Sequence, residues 1–94
     1  MTTYNKTLVT HQTLAATTVD VVNLAAIHNA VEVLNRGTVD IYARVDGNAP
    51  TVLGDDCYII PAGTAATLRT PGSSTQVQLI ASASCAYTIS GQDS

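Results

Sequence analysis

The sequence predicts an all-β fold: a single-domain antiparallel β-sandwich, of jelly-roll type, with about seven to eight strands. Short runs rich in Val, Ile, Thr and Tyr alternate apolar and polar residues, as strands with one buried face do. Clusters of Gly, Pro, Asn, Asp and Ser separate these runs at intervals of about 8–12 residues. The 94 residues are enough for one small domain, and no linker or internal repeat divides them.

The first twelve residues are polar and Thr-rich, with Tyr4, Leu8 and Val9 as isolated apolar points. We interpret residues 1–12 as an extended N-terminal arm or an edge strand, and residues 13–94 as the β-sandwich domain. The arm is expected either to fray, as unanchored termini do, or to order against a neighbouring subunit.

The next segments favour strands over a helix. In Thr13–Leu24, Val19 and Val21 alternate with Asp20 and Val22, and β-branched residues are frequent. Residues Ala25–Asn29 are predicted to be a connection with at most one helical turn. Val31–Asn35 alternates with a period of two and is predicted to be a strand.

The clearest strand prediction is Val39–Val45, which follows a turn at Asn35-Arg36-Gly37. Gly37 is expected to supply a positive φ in this turn. In the strand, Ile41, Ala43 and Val45 share one face, and the polar neighbours share the other.

The remaining strands lie between strong turn signals. Asp46–Asp56 contains glycines and a proline and is predicted to be a loop, and Pro71-Gly72-Ser73-Ser74 is predicted to be a turn. The predicted strands are Cys57–Ile60, Thr64–Thr70 with Ala66 and Leu68 inward, Thr75–Ala81 with Val77 and Leu79 inward, and Ser84–Ser90 with Cys85, Tyr87 and Ile89 on one face.

Composition points towards assembly and away from nucleic acid. The chain has no Phe or Trp, and charged residues make up 12% of it. A light core gains less from burial, and a neutral polar surface is easily desolvated against other subunits. The four basic residues, Lys6, Arg36, Arg44 and Arg69, are scattered and the net charge is −3, so direct contact with DNA or RNA is not expected.

The cysteines indicate a reducing environment. The start MTTYNKTLVT lacks the apolar core of a signal peptide, and no run approaches the roughly 20 apolar residues of a membrane span. We therefore expect synthesis in a reducing cytoplasm, with Cys57 and Cys85 as free thiols. A redox pair is the alternative to two small buried hydrophobes, and the latter is favoured.

No motif for catalysis is present, so we expect neither catalytic residues nor cofactors. His11 and His28 have no metal-ligand spacing and no accompanying nucleophile motif. Three isolated carboxylates are expected on outward strand positions, unsuited to a glycosidase pair: Asp20, Glu32 and Asp40. One loop gathers oxygen ligands that could bind Ca²⁺, but their spacing is not that of an EF-hand and a metal site is not predicted: Asp46, Asn48, Asp55 and Asp56.

Three blocks carry a resemblance to a known group of proteins. These blocks are VEVLNRG at Val31–Gly37, IYARVDGNAPTVLGDDCYIIPAG at Ile41–Gly63 and VQLIASASCAYTISG at Val77–Gly91. The sequence resembles small virion structural proteins of tailed bacteriophages, of the capsid decoration or cement type. The resemblance spans about two-thirds of the chain and leaves out the first thirty residues.

The resemblance implies a non-enzymatic protein of the capsid surface that binds across major capsid protein subunits. We further expect a homo-oligomer, a trimer or a dimer, with no membrane partner. Two alternatives remain open at this point. One is a tail or head–tail connector component, and the other is a host-glycan-binding module that would use Tyr42 and Tyr58 as aromatic platforms.

Overall fold

The computed structural model describes residues 1–25, 29–70 and 75–92, which form nine β-strands and, within these ranges, no helix. The strands are β1 (Thr2–Lys6), β2 (Val9–Leu14), β3 (Asp20–Leu24), β4 (Ala30–Asn35), β5 (Ile41–Arg44), β6 (Tyr58–Ile60), β7 (Ala65–Arg69), β8 (Thr75–Ala81) and β9 (Cys85–Gln92). The predicted connection at Ala25–Asn29 and the predicted turn at Pro71–Ser74 lie largely outside the described residues.

The strands form two packed sheets. The large sheet has the order β1-β3-β8-β5-β6, and the small sheet has the order β2-β9-β4-β7. All pairs are antiparallel except β1 with β3, which is parallel. The predicted β-sandwich is therefore confirmed.

The connectivity from β2 to β9 is that of a jelly roll. After β2 in the small sheet, the chain crosses to β3 in the large sheet, back to β4, and across again to β5 and β6. It then returns to β7, crosses to β8 and ends in β9. Each crossing places sequence neighbours in opposite sheets, so the strands pair with partners distant in sequence. β1 is added outside this set, at the free side of β3.

The core lies between the sheets and is built by strand alternation. Val77 and Leu79 of β8 point inward, and so do Ile41 and Ala43 of β5, as their period of two predicts. The interior is made of small aliphatic side chains around one aromatic ring, and its buried members are Leu14, Val22, Leu24, Val31, Val33, Ile41, Ala43, Ile60, Leu68, Val77, Leu79, Ala81, Cys85, Tyr87 and Ile89.

The residues of the predicted arm are paired within the chain. Thr2–Lys6 form β1 at one end of the large sheet, and the backbone N–H of Thr2 donates to the carbonyl of Val19 at 3.1 Å. Val9 to Gln12 belong to β2, which pairs with β9. Ordering of these residues against a neighbouring subunit stays a prediction.

Gly37 has a role different from the predicted one. Positive φ values occur at Gly47 and Gly63, and Gly37 is not among the residues with this conformation. A Cβ at Gly37 would instead overlap Sγ of Cys85 and lie 3.1 Å from its Cα. Glycine is needed here because β9 passes close to the turn, and the expectation of a positive φ is wrong.

Candidate interaction surfaces

The outer face of the small sheet is broad and carries few charges. Its strands alternate core residues with outward ones, so the outward side chains follow from the register. We call this surface the neutral face, and its outward residues are Val9, His11, Thr13, Glu32, Leu34, Ala65, Thr67, Arg69, Ala86, Thr88 and Ser90. Small hydroxyl and methyl groups dominate it, so few charges would need to be desolvated in a contact with another protein.

One polar cluster ties three strands of the neutral face together. Nδ1 of His11 lies 2.8 Å from Oγ1 of Thr88, its direct partner across the strand pair. The guanidinium of Arg36 donates to the same Oγ1 at 3.0 Å through Nε. The Thr88 hydroxyl therefore links the His11 ring to the Arg36 guanidinium. His28 lies outside the described residues.

The outer face of the large sheet carries a ladder of side-chain amides. Nε2 of Gln78 donates to Gln76 at 3.3 Å, Nε2 of Gln76 donates to Asn23 at 2.8 Å, and Nδ2 of Asn23 donates to Asn5 at 3.1 Å. The ladder crosses β8, β3 and β1 in turn. It ends at the edge strand, where the Asn5 amide nitrogen has no partner among the described residues.

An open cleft of about 600 Å³ lies between the end of β5 and the start of β6, lined by Arg44, Val45, Asp46, Asp56, Cys57 and Tyr58. Arg44 and Asp46 form an ion pair across it, with Nε of Arg44 3.0 Å from Oδ1 of Asp46. The hydrogen bond from Arg44 holds the pKa of the Asp46 carboxyl well below its usual range. A carboxylate with so low a pKa is a poor general base.

The loop between β5 and β6 contains the oxygen ligands that could bind Ca²⁺, but hydrogen bonds within the loop organise it. Asp46 also accepts the backbone N–H of Asn48 at 3.2 Å, which is an Asx-type turn. Across residues 1–25, 29–70 and 75–92, no group of three or more His, Cys, Asp or Glu side chains is placed to hold a metal ion.

Asp20 lies between the sheets and not on the outward strand position that the sequence predicts. The expectation of an outward carboxylate is wrong, because Asp20 is 3% exposed and points between the sheets. It shares the inward period of Val22 and Leu24 on β3. Its Oδ2 accepts a 2.9 Å hydrogen bond from the hydroxyl of Tyr87, which is fully buried. Burial raises the pKa of Asp20 despite this hydrogen bond.

The other candidate carboxylates and the two thiols have separate positions. Glu32 is half-buried on the neutral face, and Asp40 accepts the backbone N–H of Ala62 at 3.3 Å. Both cysteines are free. Cys85 is buried in the core, where burial raises the pKa of its thiol, and Cys57 is half-buried at the cleft.

A buried asparagine joins the two sheets near Gly37. Nδ2 of Asn35 donates to the carbonyls of Val39 at 2.8 Å and of Ile60 at 2.9 Å. Its Oδ1 accepts the backbone N–H of Gly37 at 2.9 Å and the thiol of Cys85 at 3.2 Å. The sequence predicts Asn35 only as a turn residue. Its inward position at the end of β4 is the signal for its second role, the bridge between the sheets.

Exposed apolar side chains gather at the two opposite edges of the sandwich. In the described ranges, six large apolar side chains are exposed: Met1, Leu8, Val9, Leu53, Tyr58 and Ile59. The first three lie on or beside β1 and the start of β2, which we call the β1 edge. The last three lie on β6 or in the loop before it, which we call the β6 edge. Tyr42, by contrast, is 6% exposed and is unavailable as an aromatic platform.

Comparison of the chain with protein-family models, with curated proteins and with solved structures gives no match. Nor does any helix in the described ranges have the length and apolar character needed to cross a membrane.

Proposed function

We propose that this protein is a non-enzymatic structural component of a bacteriophage virion that decorates the capsid and stabilises it by binding across major capsid protein subunits. The neutral face is the observation that carries the proposal. It is broad, it is supported by four hydrogen-bonded strands, and most of its polar groups are hydroxyls that adapt easily to a partner. Such a face suits permanent contact with a protein lattice.

The sequence resemblance supports the same class. Its three blocks cover β4, β5, β8 and β9, which are four of the five inner strands, and β6 at one edge of the sandwich. The blocks therefore account for most of the scaffold, while the inner strand β3 and the edge strands β1, β2 and β7 lie outside them. We infer that a family scaffold presents a partner-specific surface along these edge strands.

The mechanism of stabilisation is binding energy distributed over many copies. One copy that contacts two capsid subunits at once adds its binding free energy to the assembled state and adds none to separated subunits. Many such sites on one particle act together, so a weak individual contact still gives a large effect on the shell.

The test uses particles with and without the protein. Heads that lack it are prepared and heated, and genome release is followed with an intercalating dye, before and after purified protein is added back. We expect add-back to raise the release temperature. Thr13→Glu and Thr67→Glu place charges on exposed positions of the neutral face and should weaken add-back. Ala49→Glu, in the loop between β5 and β6, is the matched control and should act like wild type. Equal release temperatures with and without the wild-type protein would rule out the proposal.

A host-glycan-binding module is the second candidate, favoured by the cleft beside Tyr58. The ring of Tyr58 is 51% exposed, as a sugar-stacking platform needs to be. This candidate predicts that the wild-type protein binds a glycan on an array and that Tyr58→Ala does not. Capsid decoration predicts that heads bind both proteins equally well.

A further inference from the structure

We propose that copies of this chain associate head to tail, with the β1 edge of one copy docked on the β6 edge of the next. The inference stands apart from the proposed function, since it concerns self-association in the absence of any capsid. It rests on the placement of the exposed apolar side chains, on the charges beside them and on the hydrogen-bonding groups at the two edges.

The apolar side chains mark both edges as contact surfaces. Leu8 is 46% exposed shortly after β1, and Leu53 and Ile59 are 77% and 53% exposed at the β6 edge. Val9, on β2, points to the neutral face, and Met1 lies at the opposite end of β1 from Leu8. Exposed apolar side chains beside an unpaired strand edge are typical of interaction sites.

The charges beside these apolar groups are opposite. Lys6 lies at the end of β1 and forms no ion pair with any described residue. Asp55 and Asp56 are exposed just before β6 and are equally without an ion pair in the described ranges. Opposite charges on two surfaces favour their encounter, and like charges brought face to face oppose it.

The charge pattern selects a head-to-tail contact over a two-fold one. A two-fold dimer through the β6 edge would pair two surfaces that both carry Asp55 and Asp56, and one through the β1 edge would pair two surfaces that both carry Lys6. A contact between unlike edges pairs ammonium with carboxylate. The amide nitrogen of Asn5, at the open end of the amide ladder, adds a second unpaired donor on the Lys6 side.

The geometry lets each copy use both edges at once. β1 and β6 are the first and last strands of the large sheet. With strands spaced about 4.8 Å apart, the two edges lie roughly 19 Å from each other, on opposite sides of the molecule. A contact between unlike surfaces propagates, and it either closes into a ring of three or more copies or grows as an open chain. A second copy of this chain is therefore the occupant that each edge fits.

The experiment measures mass in solution by sedimentation velocity and light scattering from about 1 to 100 µM, a range that covers ordinary protein affinities. Wild type is expected as an assembly of three or more copies. Leu8→Asp disrupts only the contact surface at the β1 edge, and Ile59→Asp disrupts only the one at the β6 edge. Each variant alone is therefore expected to be monomeric. An equimolar mixture of the two is expected to form a one-to-one complex that grows no further, because each partner retains one intact edge.

Ala83→Asp, at an exposed position between β8 and β9, is the matched control and should keep the wild-type mass. If the edge variants fail to fold by circular dichroism, Lys6→Asp and Asp56→Lys replace them, since both positions are exposed. Each of these should raise the dissociation constant by about tenfold or more, and mixing the two should restore it. A wild-type monomer at 100 µM, edge variants of unchanged mass, or a mixture that stays monomeric would overturn the inference. None of these outcomes depends on capsid binding.

Discussion

The hydroxyl of Tyr87 donates a 2.9 Å hydrogen bond to Oδ2 of Asp20, and both side chains are buried between the sheets. Tyr87 belongs to β9 of the small sheet, and Asp20 belongs to β3 of the large sheet. Van der Waals contacts make up most of the sandwich interior, so this directed bond fixes how one sheet is positioned on the other. A buried polar pair of this kind favours one packing arrangement over its neighbours.

The first prediction concerns this bond. Tyr87→Phe removes the hydroxyl and leaves the Asp20 carboxyl buried without that donor, so we expect a loss of about 1–3 kcal/mol in the free energy of unfolding. Urea denaturation measures it. Tyr58→Phe is the control, because its exposed ring should make the loss of a hydroxyl nearly neutral. In a double-mutant cycle with Asp20→Ala, which removes the acceptor, the two costs should be non-additive, and strict additivity would contradict a direct interaction.

The second prediction is the pH dependence that Asp20 imposes. Burial raises its pKa in the folded protein, while the Tyr87 hydrogen bond and the amino group of Met1 act in the opposite direction. The folded state therefore binds the Asp20 proton more tightly than the unfolded state, whose pKa is about 3.9. The resulting stability is fully present below that value and is lost as the pH rises through the folded-state pKa.

Comparison with Asp20→Asn isolates this effect. The unfolding free energy of wild type minus that of the variant should fall as the pH rises from about 3.5 through the folded-state pKa of Asp20, and should then level off. Asp46, whose lowered pKa acts in the opposite sense, is present in both proteins and cancels in the difference. A difference that is constant or rises with pH would contradict the assigned burial of the carboxyl.

The sequence predicts the fold well because the alternation of apolar and polar residues along the strands carries most of the information about it. The inward sets Val77 with Leu79, and Cys85 with Tyr87 and Ile89, were predicted from their period and lie in the core. Strand boundaries shifted by one or two residues, as at β5, which begins at Ile41 and not at Val39. The pairing partners could not be predicted, because a jelly roll joins strands far apart in sequence and the turn signals specify only local reversals.

The polar positions were harder to predict for a physical reason. Asp20 lies in the inward period of β3, but its charge argued for solvent, and only the three-dimensional neighbour Tyr87 makes its burial tolerable. Asn35 was treated as a turn residue because its four hydrogen-bond partners are spread from Gly37 to Cys85. The two exposed edges became visible only when the strand order placed β1 and β6 at opposite ends of one sheet.

The third prediction concerns Asn35, which is fully buried. Asn35→Asp keeps the shape of the side chain but removes both N–H donors of the amide. The carboxylate oxygen in their place repels the two carbonyl oxygens that the amide stabilises. We expect a loss of more than about 3 kcal/mol, partly recovered at acid pH where the new carboxyl is neutral. Asn5→Asp, at an exposed position where the acceptor oxygen is kept, is the matched control. A cost below about 1 kcal/mol for Asn35→Asp would contradict the bridging role.

The fourth prediction concerns the close approach of Gly37 and Cys85. Gly37→Ala places a methyl group in overlap with Sγ of Cys85, so β9 or the turn must move. The expected cost is about 1–3 kcal/mol, as for other overpacked sites. The cost should be smaller in a Cys85→Ala background, where the sulfur is gone and only the backbone contact remains. Thermal denaturation of the four proteins measures this, and an equal cost in both backgrounds would contradict the contact.

The copy number of this chain in purified virions tests the proposed role in the capsid most directly. Quantitative mass spectrometry with isotope-labelled peptides gives the ratio of this protein to the major capsid protein in the same particles. Decoration of an icosahedral shell predicts on the order of hundreds of copies, at a fixed ratio to the capsid subunits, whereas a connector or tail ring predicts about six or twelve. A ratio fixed by the shell lattice is the result we predict. Ring-like copy numbers, or absence of the protein from purified particles, would contradict the proposal.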